Sequence, residues 1–321
     1  MRAFVTGGSG FMGRTLIGEL RARGHDVRAL ARTQAAADAV SALGATPVRG
    51  DLDEELEMRA GMQGCDVVFH LAGKITGWGR ADEFQRVNVE GTERVLHAAR
   101  AAGVPRVVHV STESVLLDGR PLRGVDESAR RATNPVGLYS RTKAQAEERV
   151  LELNSPELAT VVVRPRFVWG KGDTSVLPQL VDAVRRGQFK WIDGGRYQTS
   201  TCHVRNVCEG LMLAAERGTP GQVYFLTDGP PVEFRTFITD LLRTQGVDPG
   251  SGSIPRPVAR AAAAASEWAW RTFGLKSEPP VTRYALAAVG QEVTVNDAKA
   301  RRDLGYVGRV SREEGLREMN G

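Results

Sequence analysis

The sequence predicts an α/β fold, a doubly wound parallel sheet with a smaller C-terminal substrate-binding cap. Three observations carry that prediction. Short β-rich runs alternate with stretches of helical period through the first half, the pattern of parallel βαβ units joined by right-handed crossovers. A glycine-rich turn, Thr6-Gly7-Gly8-Ser9-Gly10-Phe11-Met12-Gly13, lies between the first run and the first helical stretch. Beyond about residue 166 the alternation breaks into pieces interrupted by Gly and Pro.

Taken in order, the strand candidates are residues 3–6, 27–31, 46–49, 67–71, 107–111 and 160–164. Between them, 12–23 carries Met12, Leu16, Ile17 and Leu20 on one helical stripe, and 89–102 places Val95, Leu96 and Ala99 similarly. A helix at 204–216 and a strand at 222–226 read as a return to the sheet. Residues 1–166 with 203–228 therefore form the dinucleotide-binding domain, 167–202 and 229–296 the cap, and 297–321 a tail. The cap would lie over the carboxyl ends of the strands, where such sheets bind ligands. Residues 257–275 mix an Ala run with Trp268, Trp270 and Phe273. They read first as an amphipathic helix on the core, and second as a greasy lid or weak membrane-surface contact.

Composition narrows the function classes. A chain of 321 residues with 41% apolar side chains is long enough to bury a full core. Forty-three Lys and Arg against 38 Asp and Glu give a mild +5, with the cations scattered, so no nucleic-acid partner is read. Cys65, Cys202 and Cys208 form no C-x-x-C pair, and the five histidines never fall three or four apart, so neither a disulfide framework nor a metal site is drawn. No leader and no transmembrane run is apparent, and the expected location is cytoplasmic.

The glycine turn has the context a pyrophosphate needs. Glycines permit the tight turn and close backbone approach, and the following helix offers free N–H groups and a partial positive charge. Gly7, Gly10, Phe11, Met12 and Gly13 are the candidate contacts. NAD-selective sites place an acid at the end of the second strand. Here Ala31 and Arg32 stand there, and a guanidinium pairs with a 2′-phosphate, so NADP(H) is the preferred cofactor and NAD(H) the second choice. Asp51 follows the third strand, either facing the adenine or capping a helix that begins near Asp53. Ala72 and Gly73 end the fourth strand with small side chains.

Tyr139 and Lys143 are four apart and share a helix face. Reduction of a carbonyl needs a proton donor at oxygen, and a phenol whose pKa is lowered by an adjacent ammonium suits that role. With five tyrosines and six lysines in 321 residues, chance supplies only about 0.1 such pairs. Ser111-Thr112-Glu113-Ser114 ends the fifth strand, and one hydroxyl there can hold the substrate oxygen. Asn88 either starts a helix or holds the base of the site. For a keto-acid substrate, Lys171 or Arg196 is a candidate carboxylate partner.

Together, residues 6–13, Asp51-Leu52, His70-Leu71-Ala72-Gly73, 88–92, Ser111-Thr112, Tyr139 with Lys143, and 164–170 resemble the extended short-chain dehydrogenase/reductase superfamily over nearly the whole chain. Trp78-Gly79, Trp169 where sugar epimerases usually carry Tyr, the run Pro279-Pro280-Val281-Thr282-Arg283, and residues 301–306 and 311–316 look most like its 3β-hydroxysteroid dehydrogenase branch. That branch includes the sterol-4-carboxylate 3-dehydrogenases and the 2-alkyl-3-oxoalkanoate reductases. The resemblance implies Tyr139 as acid/base, Lys143 as pKa-lowering residue and ribose anchor, Thr112 as third catalytic hydroxyl, Leu52 in the cofactor site, and Pro165 and Val168 beside the nicotinamide. Arg205 after His203-Val204, and Ser114 after Glu113, depart from the epimerase and dehydratase patterns.

The expected protein is an NADP(H)-dependent reductase of a small apolar ketone, or dehydrogenase of the matching alcohol, of steroid, terpenoid or long-chain β-keto acid type. A nucleotide-sugar epimerase with tightly held NAD and a catalytically silent dinucleotide-binding regulator are the alternatives. A homodimer is expected, through helices near 89–102 and 138–153.

Overall fold

The structure, a computed structural model, describes residues 1–275 and 277–320. Seven strands form the main sheet: β1 (Arg2–Thr6), β2 (Asp26–Ala31), β3 (Thr46–Arg49), β4 (Val67–His70), β5 (Arg106–Val110), β6 (Ala159–Pro165) and β7 (Gln222–Leu226). Their spatial order is β7-β6-β5-β4-β1-β2-β3, with every neighbouring pair parallel. The order reverses between β1 and β4, and this switch point opens a crevice at the carboxyl edge. Inner strands read as unbroken apolar runs because both faces are covered. Successive residues then serve opposite cores: Ala3 and Val5 join Leu16, Ile17, Leu211 and Met212 on one side, while Phe4 joins Met58, Val68, Leu96 and Val162 on the other.

The helix boundaries differ from expectation at two places. Residues Gln85–Glu90 form a π-helical turn, and regular helix begins only at Gly91. The third-layer helix runs Glu55–Met62 with Glu54 at its N-cap, so Asp51 caps nothing; its carboxylate accepts from the next N–H, that of Leu52, at 2.8 Å.

A second sheet of four short strands is assembled from distant segments. Val232–Glu233, Gln198–Thr199, Val293–Val295 and Leu122–Val125 lie side by side in that order. None of the four was foreseen, and the last pairs in parallel with Val293–Val295. Val168–Trp169 pairs with Cys202–His203, so the excursion between them leaves and returns at one place. Asp228 ties that place to β7: it accepts from the Trp169 indole N–H at 2.8 Å, the Thr201 hydroxyl at 2.8 Å, the His203 backbone at 2.6 Å and Asn206 at 2.7 Å. Helices Leu177–Arg185 and Phe234–Arg243 close a separate aromatic core around Phe167, Trp169, Trp191, Phe234 and Phe237.

The C-terminal residues are part of the main core. After helix Ala298–Leu304, Leu304 and Tyr306 pack in the cluster that holds Ala3 and Val5, and the Tyr306 hydroxyl donates to the Thr227 carbonyl at 2.8 Å. Cys65, Cys202 and Cys208 are free and buried.

One charge is deeply enclosed. Glu147, on helix Gly137–Glu152, is fully buried and takes a two-pronged bond from Arg164 on β6, with Ser111 donating at 2.7 Å. Removing one partner strands the other in the core, a cost of about 3–5 kcal/mol, whereas replacing both with apolar residues is far less harmful. Urea unfolding is therefore expected to show a loss of that size for Glu147→Ala and a much smaller one for the double variant Glu147→Leu/Arg164→Met. An equal loss in both would mean the ion pair is not what matters there.

Candidate active site

The switch point is built for close approach. Gly7 adopts φ +73°, and a Cβ there would stand 2.7 Å from the Ala72 nitrogen; at Gly13 it would stand 2.1 Å from the Gly7 carbonyl oxygen. No side chain fits at either position. The Gly10 N–H donates to the Gly7 carbonyl at 3.1 Å, and Gly10 caps helix Phe11–Ala22 without a side-chain bond. The first-turn N–H groups of this twelve-residue helix thus face the crevice with their partial positive charge, a donor set suited to a pyrophosphate. Phe11 and Met12 are half-buried in that turn, and Ala72 and Gly73 leave β4 opposite it.

A continuous hydrogen-bond chain runs from this turn to the helix that carries Tyr139. Thr92 donates to the Asn88 carbonyl at 2.7 Å, so its oxygen accepts from Nε2 of His70 at 2.9 Å. Nδ1 of His70 then accepts from the Thr6 hydroxyl at 2.7 Å, whose oxygen accepts from the Ala72 N–H at 3.2 Å. Only neutral His70 satisfies this sequence of donors. Burial, and next the charge of Lys143, bring its pKa down to about 3. Asn88 extends the chain: its Oδ1 accepts from the Lys74 N–H at 2.7 Å and its amide donates to Thr142 at 3.0 Å. Asn88 therefore holds the base of the site from within the π-turn and starts no helix.

Tyr139 and Lys143 lie on one face of helix Gly137–Glu152, as their spacing predicts. Lys143 is buried; its Nζ donates to the Val110 carbonyl at 2.6 Å and sits 3.1 Å from Nε2 of His109. Burial lowers its pKa to about 8, and burial with Lys143 nearby also holds His109 neutral. The phenol departs from expectation. Burial drives the Tyr139 pKa well above its ordinary value, aided by Tyr284 and the Glu113 carboxylate, and only a hydrogen bond with Thr112 pulls the other way. Lys143 spends its protons on β5, so the predicted lowering by the ammonium is absent and the phenol stays protonated.

Thr112 is the strand-end hydroxyl that reaches the phenol, because Ser111 is committed to Glu147. Its Oγ1 donates to Glu113 at 2.9 Å and accepts from the Ser114 N–H at 3.2 Å. Glu113 is itself buried and paired with buried Arg166 at 3.3 Å; Arg166 donates onward to the Ala288 carbonyl at 2.7 Å. Tyr284 completes this wall, its ring edge-on to Tyr139 with centroids 5.5 Å apart.

Tyr284 is shared with a cleft of about 1480 Å³ bounded by residues 74–81, 134–138 and 283–287 and by helix Arg256–Thr272. Arg141 and Arg260 line it, and among the described residues neither has a carboxylate partner. Arg141 donates to the Pro135 carbonyl and Arg260 to that of Gly119. These two segments are joined by the Val136 N–H to Leu117 carbonyl bond, so both guanidiniums stand on one wall.

Several predicted residues lie elsewhere. Lys171 and Arg196 are exposed and outside the cleft, leaving Arg141 and Arg260 as its available cations. Leu52 is buried in the core against Gly91. Arg32 is 69% exposed at the end of β2 and faces Asp51 at 3.6 Å. Pro165 ends β6, and Val168 follows after Phe167, which has a positive φ of 43°. His109, Glu113, Arg166 and Tyr284 were not assigned roles from sequence; only Glu113, inside the run 111–114, and Arg166, inside the motif at 164–170, carried a signal. Arg205 is held by Glu19 at 3.4 Å and Glu318 at 2.9 Å.

A glycine turn at the β1/β4 switch point, facing a helix with Tyr139 and Lys143, defines an extended short-chain dehydrogenase/reductase, an NAD(P)-dependent oxidoreductase. Residues 4–256 match the model of the 3-beta hydroxysteroid dehydrogenase/isomerase family, and the chain belongs to that family. It is 56% identical over 98% of its length, and 95% of the relative's, to a 4-hydroxy-2-methyl-3-oxo-4-farnesyl-3,4-dihydroquinoline-1-oxide ketoreductase of Stigmatella aurantiaca. It is 35% identical to a 2-alkyl-3-oxoalkanoate reductase of Stenotrophomonas maltophilia, over 99% of this chain and 98% of that one. Among solved structures, MoeE5 in complex with UDP-glucose and NAD superposes with a TM-score of 0.76 at 26% identity, covering 100% of this chain and 97% of that one.

The lowered pKa of Lys143 has a readable sign. Between about 8 in the native state and roughly 10.4 unfolded, the native chain binds fewer protons, so this residue makes stability rise with pH by up to about 1.4 kcal/mol per unit. Below that window both states are protonated and the slope vanishes. Urea unfolding of wild type and Lys143→Met at pH values on either side of 8 is expected to show the difference moving toward wild type as pH rises. Parallel pH dependences would contradict a buried, titrating Lys143.

Proposed function

We propose that this protein reduces the ketone of an apolar substrate, or oxidises the matching secondary alcohol, with Tyr139 as acid/base and NADP(H) as the preferred cofactor. The observation that carries this is the Tyr139 phenol, kept protonated by burial and set beside Thr112, at the carboxyl edge where the glycine turn opens. Gly7, Gly10, Phe11, Met12 and Gly13 would hold the pyrophosphate, Lys143 the ribose, and Ala72, Gly73, Pro165 and Val168 the nicotinamide side. When bound, the reduced nicotinamide supplies hydride to the carbonyl carbon. Tyr139 would donate its proton to the carbonyl oxygen, and Thr112, by turning its single proton from Glu113, would fix that oxygen by a second hydrogen bond. The raised phenol pKa keeps the group protonated at neutral pH, the form that ketone reduction consumes, at the expense of acid strength. General acid catalysis is worth about 100-fold to 10,000-fold. Tyr139→Phe should therefore lower turnover of a ketone panel by at least about 100-fold while binding NADPH within a few-fold of wild type by fluorescence titration. Unchanged turnover would end this mechanism.

Residues 167–202 and 229–296 serve as the substrate cap in this proposal. The relatives' names specify a farnesyl group and an alkyl chain, which favours a long apolar substrate. Arg141 and Arg260 favour one that also carries an anionic or strongly accepting group, as a β-keto acid does. The cofactor preference rests on Arg32, whose exposed guanidinium needs only to leave Asp51 to meet a 2′-phosphate. A hydrogen bond to a charged group is worth about 1.5–3 kcal/mol, so Arg32→Ala should cost about tenfold or more in kcat/KM with NADPH and little with NADH. A wild-type preference for NADH would overturn the NADP(H) assignment and leave the role of Tyr139 intact.

A further inference from the structure

Three side chains are set against the Tyr139 phenol: Thr112, Glu113 and Tyr284. Of the three, Tyr284 alone also lines the cleft. Its ring stands edge-on to that of Tyr139, 5.5 Å between centroids, and keeps part of its surface exposed. Backbone rather than side chains crowds this ring. A Cβ at Gly137, whose φ is +83°, would stand 2.9 Å from Cβ and 3.4 Å from Cγ of Tyr284, and one at Gly77 would stand 3.3 Å from its Cδ1. A side chain at Gly137 would therefore push the ring aside. The helix that bears it, Arg283–Val289, is held at three points. Glu267 accepts from the Arg283 backbone at 2.7 Å and from its guanidinium at 2.8 Å, Arg166 donates to the Ala288 carbonyl at 2.7 Å, and the Tyr197 hydroxyl donates to that of Val289 at 2.6 Å. Glu267 and Arg166 are buried charges that are costly to leave unpaired, so Tyr284 is a fixed wall rather than a mobile flap.

We infer that Tyr284 is the residue that selects the ketone end of the substrate: a flat, conjugated ketone lies along its ring to reach Tyr139, and a globular one is turned away. This role rests on the reductase reading of Tyr139 and adds to it the shape of the group that reacts. An aromatic ring favours another flat ring in offset-stacked or edge-on contact. Trp78 and Trp270 line the same cleft, so its walls repeat that preference. Bulk beside the carbonyl carbon meets a ring that cannot yield, because the backbone at Gly77 and Gly137 already crowds it.

Two methyl ketones separate the outcomes, flat 2-acetylnaphthalene and globular 1-adamantyl methyl ketone. Wild type is expected to favour the flat one by at least about tenfold in kcat/KM. Tyr284→Phe, which keeps the ring, should hold that ratio within about twofold. Tyr284→Leu, which keeps an apolar side chain without a flat face, should lower it at least about fivefold, chiefly through KM, and Tyr284→Met should repeat the loss. A merely structural role would lower both ketones alike and leave the ratio in place; circular dichroism and thermal unfolding confirm that the variants are folded. Calorimetric binding of both ketones to cofactor-loaded Tyr139→Phe protein, with and without Tyr284→Leu, reads the same ratio without turnover. Selective binding by a protein whose wild type reduces neither ketone would count against the reductase reading while supporting this role of Tyr284. Wild type indifferent to the two shapes, or a ratio unmoved by Tyr284→Leu and Tyr284→Met, would overturn it.

Discussion

The site depends on one buried polar line. From Ala72 through Thr6, His70, Thr92 and Asn88 to Thr142, every donor meets an acceptor, and the line crosses from the glycine turn to the helix of Tyr139 and Lys143. Each member is buried or nearly so, where an unpaired polar group costs about 1–3 kcal/mol. The chain therefore has one low-energy arrangement, and it fixes the distance between the turn and the helix face opposite. Protonating His70 would set two donors against each other, so its low pKa is part of the geometry.

Beside that line lies a second polar cluster with a different character. Glu113 and Arg166 form a buried ion pair next to the phenol, and Tyr284 closes over it. The cluster keeps negative charge near Tyr139, which opposes loss of the phenolic proton. Arg166 compensates the charge without touching the phenol, and its hold on the Ala288 carbonyl links the cluster to the segment that bears Tyr284. Acid strength at Tyr139 is thus set by neighbours from three separated parts of the chain.

What could be read in the sequence was local or periodic. The inner strands were legible because both faces of each are covered, leaving apolar runs bounded by turns, whereas edge strand β3 is exposed at both ends and only half-buried between. The glycine turn and the Tyr139–Lys143 spacing were legible because their chemistry is written within a few residues. What escaped was non-local. Leu122–Val125 is a strand only because Val293–Val295 lies beside it, and nothing in its own four residues says so. The π-turn at Gln85–Glu90 has no composition of its own; it exists to bring Asn88 under Thr142. The phenol's pKa was misjudged because residue spacing shows that Lys143 is near, while only the fold shows that its protons go to Val110 and His109. The helix near 257–275 was foreseen, but which of its faces meets the protein was decided by Glu267 and Arg283.

The packing of Leu304 and Tyr306 against Ala3 and Val5 also imposes an order on synthesis. Strand β1 precedes β7, the strand at the far edge of the same sheet, by more than two hundred residues. Local pairing of β1 with β2 is available early, yet the core over β1 is complete only once residue 306 has emerged. The segment between residues 20 and 304 is therefore translated with Val5, Ile17 and Leu20 partly uncovered, an interval in which a nascent chain relies on chaperones or on speed.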